Sequence, residues 1–443
     1  PEPRSRPFVG YSVLVLAVLV ILSGPLAVAS DGVVRYEALD KLLRTGKLDP
    51  VKYSLAGPIC SAPLWFLGEA VGHTKDVVGA FNRIVFVLMA AGLWLVARPL
   101  LGERERLRFV LFLLVGSLFP WHSGGYFGEL FYAACVGLGL AVVATRPGRW
   151  GWVGWPLVIW GTVNVPAAVP GLALGLGVLC WHRRRLRYAL AVVAAVALVF
   201  LENYLRRGSA FDAGYKLDKG YPTALPFSGL PNFSYPIFFG LLSILFSFGK
   251  GLVFFTPGLF LRYPRASHDE REARVRLLYW VWVAVVVGLV LVFARWWSWY
   301  GGAVWGPRFF LFASLPASLV LARLTTNAAG RSLWANTLTL AAVTLSCWAA
   351  ANGMVFETHG HDVFWANNFA LESLTWYVPE CSALWWPFVR PKPLEWHDWL
   401  RLAAFAVAYV YLAGPVAVAL ARQLRERAVA GWRAFRTGPR FKF

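Results

Sequence analysis

The sequence predicts an all-α protein that crosses a membrane many times. Three observations carry that prediction. Of the 443 residues, 58% are hydrophobic and only 15% charged, where a soluble domain carries about 25% charge. Apolar runs of spanning length recur from one end of the chain to the other. The basic residues gather in short links between those runs, the pattern that sorts loops to the cytoplasmic side. The formal charge of +20 is therefore read as topology, and nucleic-acid binding is excluded on that ground. The 23 tryptophans suit membrane-interface belts and sugar-stacking surfaces alike.

The runs follow in order. Residues 8–29 form a first span, retained rather than cleaved, since no small-residue cleavage site with a soluble domain follows it. Residues 81–101 form the next, followed by the charged link "GERERLR". Runs at 109–120 and 127–145 follow, the second closed by "RPGR". The stretch 151–181 is too long for one span and carries "NVPAAVP" at its centre, so it divides there into two short helices. The link "HRRRLR" precedes a run at 188–201. Residues 237–261 are apolar but broken by "SFGKG", which gives either one broken span or a short interfacial helix and a span. The largest internal link is "RYPRASHDEREARVR", and further runs lie at 277–293, 309–324, 333–351 and 400–421.

This gives about twelve spans (11–13) in a single transmembrane domain, 1–443. Both termini and the basic links are expected on the cytoplasmic side, including a basic tail at 422–443. The opposite, extracytoplasmic side receives four longer segments, 30–79, 202–235, 294–308 and 353–398, richer in Gly, Trp, Tyr, Asn and acids. Chemistry is expected there. No internal repeat and no soluble domain is legible. None of the five cysteines makes a metal or redox spacing. Cys60 and Cys381 both fall in expected outer loops, which allows a disulfide between them.

The first outer loop begins "SDGVVRYEALDKLLRTG". Tyr36, Leu39, Leu42 and Leu43 share one helical face, and Arg35, Glu37, Asp40, Lys41 and Arg44 cover the rest. Gly46 can end the helix. The pattern predicts a short amphipathic helix in the membrane interface, with Ser30 or Asp31 as its N-cap. Asp31 is alternatively a carboxylate fixed at the membrane boundary within reach of a substrate, the anchoring that a catalytic base needs.

Three further stretches bear on that choice: "GGYFGELFYAACVGLGL" with Glu129, "LLSILFSFGKGLVFFTPGLFL" with Lys250, and "WWSWYGGAVWGPRFF" with Arg308. Together with Asp31 they resemble the bacterial C-type (GT-C) glycosyltransferases. These polytopic enzymes use polyprenyl-phosphate sugars, and they include the protein O-mannosyltransferases and the lipid A aminoarabinose transferases. The resemblance covers the span order of most of the chain, but only these stretches are specific. It implies a GT-C-like fold and an essential aspartate in the first outer loop, matched here by Asp31. Many members carry two adjacent acids there; here Gly32 follows Asp31, so the pair that could hold a metal is broken.

For such a reaction Asp31 is the general base. Lys250 and Arg308, with Arg295 in reserve, are cations placed to hold the donor phosphate, a point charge and bidentate forks respectively. Glu129, Arg35, Tyr36, Trp297, Tyr300 and His359 are candidates for acceptor or sugar binding. Attack opposite the phosphate inverts the anomeric centre. The expected partners are a polyprenyl-phosphate sugar donor, a glycan, glycolipid or protein acceptor, and the bilayer of a bacterial inner membrane. No cofactor is expected. Each residue also has a plain alternative: Lys250 and Arg308 as snorkelling cations, Glu129 as a helix-start acid, Trp296, Trp297, Trp299 and Trp305 as an interface belt. The last outer loop contains "ETHGHDVFWANN", whose Glu357, His359, His361 and Asp362 fix no third ligand by spacing, so it reads as a polar cavity loop. Residues 217–236, rich in Gly, Pro and aromatics, read as a lid-like segment. A transporter or flippase of a lipid-linked substrate is the rival class; against it, the polar candidates sit at one interface rather than mid-span. A non-catalytic assembly subunit would not require Asp31, Lys250 and Arg308 together.

Overall fold

The computed structural model describes residues 7–146, 151–216, 218–264 and 269–437. Parts of the "RPGR" link, of the largest internal link, of the 217–236 segment and of the basic tail lie outside the described residues. The helices that build the body are α1 (Pro7–Leu22), α2 (Asp31–Thr45), α3 (Phe81–Ala97), α4 (Glu103–Val115), α5 (Gly128–Thr145), α6 (Gly151–Asn164), α7 (Val169–Arg183), α8 (Leu190–Arg207), α9 (Ile237–Phe246), α10 (Glu270–Phe293), α11 (Ser314–Thr326), α12 (Leu333–Val355) and α13 (Trp396–Thr437). Among the described residues the only β pairing is two isolated bridges, Ala27 with Gly125 and Lys219 with Pro231. The fold is all-α.

Every apolar run read from the sequence contains helix, but the first is helical only to Leu22 rather than to residue 29, and the third leaves the helix after Val115. Among the described residues seven helices are long and apolar enough to cross a membrane. The stretch 151–181 divides where expected, at Val165-Pro166, and its halves are bent by 120°. Several other runs are short: α4 has 13 residues, α7 has 15 and α9 has 10. The expected dozen thus separates into long spans and short apolar helices. The link "GERERLR" is not a link beyond Gly102. It is the first turn of α4, where Glu103 and Glu105 meet the positive end of the helix and the Arg106 guanidinium lies 4.0 Å from the centre of the Trp94 ring. α12 runs four residues past the expected end, to Val355. α13 continues unbroken through Pro415 into the basic tail.

Membrane helices pack where small residues let backbones approach, because lipid offers no hydrophobic gain to larger ones. A Cβ on Gly139 of α5 would lie 2.7 Å from the Gly154 carbonyl oxygen, and one on Gly154 of α6 would lie 2.6 Å from that of Gly139. Only hydrogen fits between these two helices.

The two ends of the bundle differ. At one, guanidinium groups cap carbonyls exposed by helix ends: Arg146 on Leu95, Arg183 on Ala144 and Arg108 on Thr325, at 2.9 to 3.0 Å. At the other, the longer segments fold over one another. Arg83 of α3 donates to the carbonyls of Leu22, Gly24 and Pro25, and Ala27 pairs with Gly125. The chain leaving α1 is thus pinned against the chain entering α5, which sets Asp31 beside Glu129. All five cysteines are free; the Cys60 sulfur instead accepts from Trp160 at 3.2 Å.

Candidate active site

The helix α2 starts at Asp31 as the sequence predicts, but neither candidate caps it. Ser30 stands at the N-cap with φ 50°, and its side chain makes no cap bond. Asp31 is turned inward instead. Its Oδ2 accepts from Arg308 Nη2 at 2.5 Å, and Glu129 Oε1 lies 3.7 Å from Arg308 Nε. Arg308 is 8% exposed and lies against the rings of Phe127 and Phe309. Burial raises the Asp31 pKa, but the Arg308 guanidinium, the Tyr53 hydroxyl and Arg35 together outweigh it and hold the carboxyl below its usual value. Gly32 lies against the Tyr126 carbonyl, so a Cβ there would sit 3.1 Å from that oxygen. A second acid beside Asp31 would have to force its way into this contact.

The buried face of α2 is Gly32, Arg35, Ala38 and Leu39, rotated from the face read by periodicity. The cause is tertiary. Residues 49–55 fold back over the helix, held by Arg206, which donates to the carbonyls of Asp49, Val51 and Tyr53, and by Glu202, which accepts from Leu55 N–H and the Ser54 hydroxyl. Arg35 is therefore buried, its guanidinium 4.8 Å from the centre of the Tyr53 ring. Tyr36 points the other way, into a cluster with Trp65 and Val78.

These groups border a cavity of about 1160 Å³. Asp31, Arg35, Glu129, Arg295, Trp297, Tyr300 and Arg308, all singled out in the sequence, line it. So do Lys52, Tyr53, Tyr215, Asp218, Lys219 and Glu372, which were not. A different wall is apolar: Val165, Pro166 and Pro170 at the bend between α6 and α7, Val199 of α8 and Leu291 of α10. Of these, Pro166, Pro170 and Leu291 are exposed. Arg295 is exposed at the rim, donating to the Phe233 carbonyl at 3.0 Å. Lys219 flanks the same strip of chain through its bridge to Pro231.

Three of the expected ligands are elsewhere: Tyr36, packed against Trp65 and Val78, and Lys250 and His359. Lys250 donates to the carbonyls of Gly302, Val304 and Gly306 at 3.1, 2.5 and 3.1 Å. All three of its N–H bonds are spent, and it is absent from the cavity lining. It fastens the loop that delivers Arg308. His359 is exposed and also outside the cavity; its neighbour His361 is buried against Phe364, Trp365 and Trp386. The tryptophans divide as well. Trp296 and Trp297 line the cavity. Trp299 and Trp305 are core residues, 1% and 0% exposed, and Trp305 donates to Asn352 Oδ1 at 2.8 Å. Among the described residues no three His, Cys, Asp or Glu side chains converge as a metal site requires.

No protein-family model matches this sequence, and no curated protein matches it. Among solved structures the chain is similar to ArnT from Cupriavidus metallidurans. With that protein bound to undecaprenyl phosphate the identity is 16% over 93% of this chain and 77% of the other, with a TM-score of 0.49. With its apo state the identity is 15% over 92% and 76%, with a TM-score of 0.48.

Proposed function

We propose that this protein is an inverting glycosyltransferase. It moves a sugar from a polyprenyl-phosphate donor to an acceptor hydroxyl on the extracytoplasmic face of a bacterial inner membrane, in the assembly of an envelope glycan or glycolipid. The observation that carries this reading is the Asp31–Arg308–Glu129 cluster, set in a large cavity with cations on one side and membrane-helix apolar groups on another. A lipid phosphate has those two needs: an apolar path for its chain and cations for its head.

The chemistry follows from the residues. The acceptor O–H gives its proton to the Asp31 carboxylate as its oxygen attacks the anomeric carbon. The bond from that carbon to the phosphate oxygen breaks on the opposite face, and the electron pair leaves with the phosphate. Arg308, aided by Arg295 and Lys219, lowers the charge that develops there. Without donor, Asp31 is tied to Arg308 and is a weak base. A phosphate that draws the guanidinium away would free the carboxylate and raise its pKa, so the base becomes active when its substrate is in place. Glu129 keeps a counter-charge beside Arg308 during that exchange. Lys250 has a positioning role through the 302–306 loop.

The test is sugar transfer by purified protein in lipid, with a panel of radiolabelled polyprenyl-phosphate sugars and a membrane-extract acceptor, wild type against Asp31→Asn. Transfer by the wild type and loss in a folded mutant is the expected result. Substrate flux in proteoliposomes with no turnover of any donor would replace the enzyme by a transporter.

A further inference from the structure

The cavity contains a carboxylate that the reaction above leaves unused. Glu372 follows a turn in which Asn367, Asn368 and Phe369 take φ of 51°, 55° and 64°, a region that residues bearing a Cβ avoid and asparagine tolerates best. The turn brings Glu372 to the cavity wall, where it is 2% exposed. Among the described residues no donor hydrogen-bonds its carboxylate; burial raises its pKa and the only charge that opposes this is Lys250. Lys250 itself has no N–H to offer, since all three go to Gly302, Val304 and Gly306. Glu372 therefore has a counter-charge and no hydrogen bond. Its carboxylate oxygens are open to the cavity rather than closed off in protein, and what completes them there is an O–H donor rather than a second cation.

Its surroundings narrow the donor. Tyr300 borders the cavity and is backed by Trp376, with ring centroids 3.9 Å apart. Phe369 and Tyr221 stack at 4.6 Å and border it too. A two-oxygen acceptor among aromatic faces suits a ring that carries adjacent hydroxyls on its edge and C–H groups on its face. We propose that Glu372 binds the sugar of the donor, accepting hydrogen bonds from a pair of its ring hydroxyls, with Tyr300 and the Tyr221–Phe369 pair against its apolar side. This rests on the glycosyltransferase reading and adds to it the residue that selects the sugar.

The test is binding in nanodiscs, by competition with radiolabelled polyprenyl phosphate. The competitors are the bare lipid phosphate, its pentosyl and hexosyl forms, the same forms with O-methylated ring hydroxyls, and an amino-sugar form. The wild type is expected to bind at least one free-hydroxyl form ten-fold or more tighter than the bare phosphate, and the methylated form no better than the bare one. Glu372→Gln is expected to cut that advantage to two-fold or less while binding the bare phosphate as the wild type does. An undiminished advantage in Glu372→Gln overturns the proposal, as does a parallel loss of bare-phosphate binding, or a wild-type preference for the amino sugar over its hydroxyl counterpart. A wild type that binds neither bare nor glycosylated lipid phosphate overturns the glycosyltransferase reading and this proposal with it.

Discussion

Two arginines in this molecule occupy nearly the same electrostatic setting. Arg308 lies between Asp31 and Glu129, and Arg323 between Glu105 at 3.1 Å and Glu272 at 2.5 Å, with a further bond from Arg323 to the Tyr263 hydroxyl at 2.8 Å. They are 8% and 9% exposed. The difference is what lies beside them. Arg308 and both its acids border the large cavity; Arg323 and its acids do not, and they join the starts of α4 and α10 to the end of α11. A buried arginine between carboxylates is thus no mark of function in itself. On the proposed function, the room for a ligand is what separates a reactive cluster from a tie between helices.

Substitution at matched positions should split the two. Asp31→Asn is expected to lower transfer by about 10²–10⁴-fold, the range for loss of a positioned base, and to leave a folded protein by thermal unfolding in detergent. Glu272→Gln is expected to do the reverse: turnover per folded molecule within about two-fold, and stability lower by about 3 kcal/mol, as when one partner of a buried pair is removed. If Glu272→Gln abolished turnover in a stable protein, the distinction drawn from the cavity would fail.

Lys250 and Arg295 give a second contrast. Lys250→Met leaves three loop carbonyls without donors, so stability and activity should fall together, the former by about 3 kcal/mol. Arg295→Ala should raise the donor KM by about ten-fold with an unchanged unfolding midpoint. A Lys250→Met protein of wild-type stability that has lost only donor affinity would return Lys250 to the phosphate.

A third concerns pH. The Asp31 pKa is lowered on folding, so its ionised form, and the stability it contributes, persist above the ordinary carboxylate value of about 3.9 and are lost as pH falls through the lower folded value. In the free enzyme the acid limb of kcat/KM should lie below that ordinary value. In Arg308→Lys, which keeps a cation but loses the fork, the limb should move to higher pH. The smallest expected effect is that of Tyr36→Phe, below about two-fold in transfer, because this ring faces Trp65 and Val78 rather than the cavity.

These comparisons also show where the sequence was readable. Apolar runs fix helices, since a backbone in lipid has few other ways to satisfy its polar groups. Asp31, Glu129 and Arg308 were legible because each stands at the end of such a run, and chain topology then returns those ends to one place. Periodicity sets Arg35 on the solvent side of α2 because it counts only the helix, and the segment that buries it is tied down by Arg206 and Glu202, 147 to 157 residues away. Lys250 reads from sequence like any cation after a glycine; only the folded loop shows its three N–H bonds pointing at carbonyls. Glu372 had one local signal, the "ANN" before it, since consecutive asparagines tolerate the left-handed turn that swings it inward. Tyr53 and Lys219 had none, because both reach the cavity through loops placed by distant contacts.

The apolar wall has a kinetic consequence. Pro166, Pro170 and Leu291 line the cavity and are exposed; on the glycosyltransferase reading proposed above, a lipid-anchored donor would reach them by lateral diffusion in one leaflet, and its spent carrier would depart the same way. The variable that saturates such an enzyme is the mole fraction of donor in the bilayer, not its amount per volume of solution. Diluting vesicles in buffer should leave the turnover rate unchanged, while diluting the donor with inert lipid at fixed total concentration should trace the whole saturation curve.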